Sequence, residues 1–61
     1  MIFDNVAAIA KEKGLAITAL EEKADLGRGT IGKWRESNPN IDNLRKVAKA
    51  LDIPIEKLLE E

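Results

Sequence analysis

ITALEEKADLGRGTIGKWRE, residues 17–36, decides how this chain folds. Leu20 and Ala24 stand four residues apart, as on the inward face of a short helix running from about Ile17 to Ala24. Asp25, Leu26 and Gly27 interrupt that pattern. A further helix is expected to open after Gly27 and to turn Ile31 and Trp34 inward, leaving Arg28, Gly29, Gly32, Lys33 and Glu36 outside. Two helices joined by so tight a break read as a helix-turn-helix, in which the first element braces a second whose outer face fits a DNA major groove.

Outward from this stretch the spacing stays helical, and no strand pattern alternates for long. Phe3, Val6, Ile9 and Ala10 share one face of an N-terminal helix, which Gly14 ends in a left-handed backbone conformation. Ala16 leaves the helix after it poorly capped. Ser37, Asn38, Pro39 and Asn40 form a loop, with Asn40 as N-cap of a fourth helix. That helix aligns Ile41, Leu44, Val47, Ala48 and Leu51 in one stripe, and Asp52 to Pro54 break it. The last turns should bury Ile55 and Leu58 and leave Leu59 near the surface. The expected fold is therefore all-α, with five short helices in a single domain spanning residues 1–61.

A domain of 61 residues buries only about 60% of the surface its unfolded chain exposes. With no cysteine and no histidine, it has neither disulfides nor zinc ligands nor the commonest general base, which suits a reducing cytoplasm. The longest apolar run, Val6 to Ala10, is far short of the ~20 residues of a membrane span. Net charge is −1, but it is unevenly spread. Residues 27–49 hold six basic and two acidic side chains, a net of +4. Residues 1–26 carry −2 and residues 50–61 carry −3. The basic segment is the one a phosphate backbone would attract, and the acidic ends should weaken non-specific DNA binding.

The whole chain resembles the five-helix DNA-binding domain of the phage Cro and C1 repressor family, lambda-repressor-like in fold. The resemblance rests on Gly14-Leu15, Leu20, Thr30-Ile31, Leu44, Val47-Ala48, Ala50-Leu51, Ile53, Leu58 and Leu59. The run Gly27 to Trp34 followed by Ser37, Pro39 and Ile41 is most similar to repressor-type regulators of Gram-positive bacteria and their phages. Four departures stand out. Ile17 occupies a position where many members place a DNA-contacting glutamine. Glu21 replaces a small residue between the motif helices, so its carboxyl group must reach the rim or find a donor such as the Trp34 indole N–H. Asp25 replaces the turn glycine, and Asp tolerates the left-handed conformation that turn needs. The family's pairing of an arginine with a glutamate falls here on Ala10 and Arg35, which leaves Arg35 for another partner.

By this resemblance the base-reading positions are Arg28, Gly29, Gly32 and Lys33. Arg28 suits a bidentate contact to guanine, and Lys33 suits a guanine or a phosphate. The glycines would give DNA close access to the backbone; surface drift is the blander explanation. Phosphate contacts would come from Thr18, Thr30, Ser37, Asn38, Asn40 and Asn43, although capping alone explains Asn40 and a helix-start role explains Thr30 equally well. Trp34 reads as core, and Arg45, Lys46 and Lys49 as a solvated helix face.

The expected partner is thus double-stranded DNA, an inverted-repeat operator bound by a homodimer that blocks or recruits polymerase. Leu59 and Ile55 are the candidate self-association patch. No cofactor, metal or membrane is expected, and with Ser37 as the single serine no catalytic constellation presents itself. The rival reading is a protein-interaction module or antitoxin-type domain on the same fold.

Overall fold

Among the described residues, three of the four α-helices end in the same backbone device, and that device sets the path of the chain. The computed structural model describes residues 2–60; Met1 and Glu61, the latter counted in the acidic C-terminal segment, lie outside them. The elements are α1 (Ile2–Glu12), α2 (Ile17–Lys23), a 3-10 helix (Gly32–Arg35), α3 (Ile41–Leu51) and α4 (Glu56–Leu59). After α1, Gly14 at φ +71° lets its N–H donate to the Lys11 carbonyl while the Leu15 N–H donates to Ala10. After α2, Asp25 at φ +60° repeats the pattern, with Asp25 N–H to Glu22 and Leu26 N–H to Glu21. Asp52 at φ +58° does so after α3, bonding to Lys49, with Ile53 bonding to Ala48. These are paired closures in which a left-handed residue satisfies the last helical carbonyls and turns the chain sharply.

Each turn returns the chain to one core. Val6, Leu20, Ile31, Val47, Leu51 and Leu58 are fully buried, joined by Ala10, Trp34, Leu44 and Ala48. Helix α1 packs against α2, the 3-10 helix and α4, while α2 packs against α3. Helix α3 begins as its sequence demands: the Asn43 N–H donates to Asn40 Oδ1 at 2.8 Å. Its stripe is narrower than expected, because Ile41, in the first turn, is 51% exposed. Ala16 precedes α2 with no side-chain cap. At the other end Leu58 is fully buried, Ile55 half-buried and Leu59 49% exposed.

The expectation of five α-helices is corrected at the third. Residues 28–31 form turns and only Gly32–Arg35 are helical, as a 3-10 helix. Two causes are visible. Gly29 has φ +88°, outside any right-handed helix. The Ile31 N–H, which in an α-helix capped at Gly27 would donate to the Gly27 carbonyl, donates elsewhere, and the Gly27 carbonyl accepts from Thr30 instead.

Candidate functional site

The exposed surface over residues 28–36 is held from beneath by two anchors and a buried carboxyl group. Ile31 and Trp34, three residues apart, are both in the core, as their spacing predicts. The third hold is Glu21, only 2% exposed. Its Oε1 accepts from the Gly29 N–H at 3.1 Å and its Oε2 from the Ile31 N–H at 2.8 Å. The expected alternatives, the rim or the Trp34 indole, are not what it uses: the backbone of the 28–31 turn supplies its donors. Burying a carboxyl group costs free energy unless each oxygen is hydrogen-bonded, and here each is.

On this support Arg28 and Lys33 are exposed, in the turn and in the 3-10 helix respectively, not on one α-helical face as expected. Gly29 is exposed beside Arg28, and its positive φ explains the glycine without recourse to a ligand's need for space. Gly32 differs. Its backbone is unstrained and a Cβ there would meet nothing within 4 Å, so packing does not require glycine.

Thr18, in the first turn of α2, and Arg28 line one open hollow with Ala19, Glu22 and Leu26. Thr30 is half-buried in the turn and not at a helix start. Ser37 and Asn38 are exposed in the loop before α3, where Asn40 is committed to its capping bond and Asn43 is half-buried. The structure therefore brings Thr18 and Arg28 to one hollow, while Gly29, Lys33, Ser37 and Asn38 follow Arg28 along the same exposed connection. Among the described residues no cluster of acidic side chains could hold a metal ion, and no helix is long and apolar enough to cross a membrane.

Two contacts went unforeseen. Arg35 lies with its guanidinium carbon 4.6 Å from the centroid of the Phe3 ring, which is the partner it takes in place of the absent family pair. The Asn5 side-chain amide donates to the carbonyls of Leu58, at 2.9 Å, and of Glu60. Only its half-inward place on α1 distinguishes Asn5 in the sequence.

The sequence pattern of a family described as Helix-turn-helix matches residues 6–58, which include both motif elements and the Glu21 hold. The chain belongs to this Cro/C1-type family. It is also 34% identical to the HTH-type transcriptional regulator SinR of Bacillus subtilis over 64 aligned positions, covering all of this chain and 58% of that protein. The SinR of Bacillus licheniformis matches with the same identity and coverage. The chain thus spans a little over half the length of these relatives. No solved structure matches it significantly.

Proposed function

We propose that this domain binds double-stranded DNA sequence-specifically, as the reading module of a cytoplasmic bacterial or prophage transcription regulator acting as a repressor. The observation that carries this reading is the placement of Arg28 and Lys33, both exposed on a segment fixed to the core through Ile31, Trp34 and Glu21. Exposed cations on an anchored segment are what reading base edges requires, since a bidentate arginine contact tolerates little misplacement. The net charge of +4 over residues 27–49 supplies the long-range attraction to phosphate. Membership of the helix-turn-helix family and likeness to two transcriptional regulators support the same reading.

In this reading Arg28 and Lys33 read bases, with the Gly29 and Gly32 backbone close to the groove floor. Thr18, Thr30, Ser37, Asn38 and Asn43 position the phosphates, and Asn40 contributes through the helix it starts. The element entering the groove is a turn followed by a 3-10 helix. The domain measures 24 × 22 × 17 Å, less than the roughly 34 Å of one DNA turn, so one copy covers one half-site. Two copies on an inverted repeat complete the operator, with the exposed Leu59 a candidate for their contact.

Selection of bound duplexes from a random library tests this directly. Enrichment of an inverted repeat, lost in Arg28→Ala, is the expected result. Failure to enrich any sequence, with weak salt-sensitive binding alone, would overturn it in favour of a protein-binding role.

A further inference from the structure

We infer that Glu21 is a specificity-determining positioning residue: its buried carboxyl group, through the Gly29 and Ile31 amides, fixes the backbone on which Arg28 is presented. The inference rests on the DNA-binding reading above and identifies what sets the geometry of that same site.

Arg28 lies between Gly27 and Gly29 in a turn, with no backbone ladder of a regular helix to hold it. The turn's own bonds are few. Thr30 N–H donates to Gly27 and Lys33 N–H to Gly29 at a long 3.3 Å. Glu21 adds two more, one on the residue next to Arg28 and one on the buried anchor Ile31, and it reaches them from α2, eight and ten residues away. One buried side chain on a neighbouring helix thereby holds the turn at two points, on either side of Thr30. It also commits two amides inward that a free helix start would offer to phosphate.

Removing this hold costs sequence discrimination before it costs non-specific affinity. Phosphate attraction depends on charge and tolerates ångström-scale displacement, whereas a bidentate base contact does not. A glutamine at position 21 keeps one acceptor oxygen and turns an N–H donor toward the other amide, so the near-isosteric change still breaks half the hold.

The test compares wild type, Glu21→Gln, Glu21→Ala and the core control Leu58→Ala, all at a temperature where each is folded by circular dichroism. Affinity is measured for the duplex selected by wild type and for a random duplex of equal length. In parallel, amide hydrogen exchange is followed without DNA. Glu21→Gln should lower the ratio of selected to random affinity by about tenfold, the loss of one good base contact. The Gly29 and Ile31 amides should exchange at least about tenfold faster, with the Val47 and Leu51 amides unchanged. Leu58→Ala should leave the ratio intact. An unchanged ratio in Glu21→Gln, an equal loss in Leu58→Ala, or wild-type exchange at Gly29 and Ile31 would each overturn the inference. Should Glu21→Ala fail to fold, Glu21→Gln carries the test alone. If wild type selects no duplex, the DNA-binding reading falls and the specificity role with it, while accelerated exchange would leave the backbone hold itself standing.

Discussion

The guanidinium of Arg35 sits over the ring of Phe3 at 4.6 Å and so ties the end of the 3-10 helix to the first turn of α1. A cation above an aromatic face is attracted by the ring quadrupole, an effect worth about 0.5–1 kcal/mol where solvent is near. Arg35→Gln should therefore lower unfolding stability by about that amount. The check is a double-mutant cycle with Phe3→Leu in urea, in which a coupling energy of zero would show that the two side chains are merely neighbours.

Asn40 starts α3 by accepting the Asn43 N–H at 2.8 Å. Asn40→Ala should cost about 1 kcal/mol, while Asn40→Asp should cost little, since aspartate caps as well. Thermal unfolding of the three proteins decides it: the alanine variant should melt roughly 4–8 °C lower for a domain of this size.

Asp52 holds φ +58°, where a side chain is sterically disfavoured, and its N–H closes the end of α3. Asp52→Gly removes the Cβ penalty at some cost in unfolded-state entropy, and should stabilise by a few tenths to about 1 kcal/mol. Denaturant midpoints measure it. A destabilised glycine variant would mean that the carboxyl group contributes more than the strain removes.

The two glycines of the proposed reading segment should behave oppositely. Gly29→Ala forces a side chain to φ +88° and should destabilise by about 1 kcal/mol or more. Gly32→Ala meets open space and should be neutral to stabilising by up to about 1 kcal/mol. If DNA approaches the backbone at Gly32, that variant will bind its selected duplex less tightly while melting no lower. Equal affinity would remove Gly32 from the interface.

These opposite roles show where sequence is informative and where it is not. The apolar spacing of Val6, Leu20, Ile31, Trp34, Val47 and Leu58 announced the core, because a face that must avoid water repeats with the period of its backbone. Asp25 was legible too, since few side chains other than glycine tolerate a left-handed turn. The third element was not. Its pattern at Ile31 and Trp34 is as compatible with three residues per turn as with 3.6, and the Ile31 N–H that an α-helix would use internally donates instead to a carboxyl group ten positions earlier. The oddity of Glu21 was visible, whereas its partners are backbone amides, which carry no residue-type signature. The same holds for Asn5 and the carbonyls it binds.

The Asn5 amide, bonded to the carbonyls of Leu58 and Glu60, brings positions 53 and 55 residues apart along the chain within one side chain's reach. The two extremities of the described fold consequently lie next to each other. A short flexible bridge could join them, and the backbone could be opened instead in the exposed loop at Ser37 and Asn38, giving a circular permutant with the same core. Such a rearranged chain would reverse the order in which its halves leave the ribosome, with α3 and α4 synthesised ahead of the α1 and α2 they pack against.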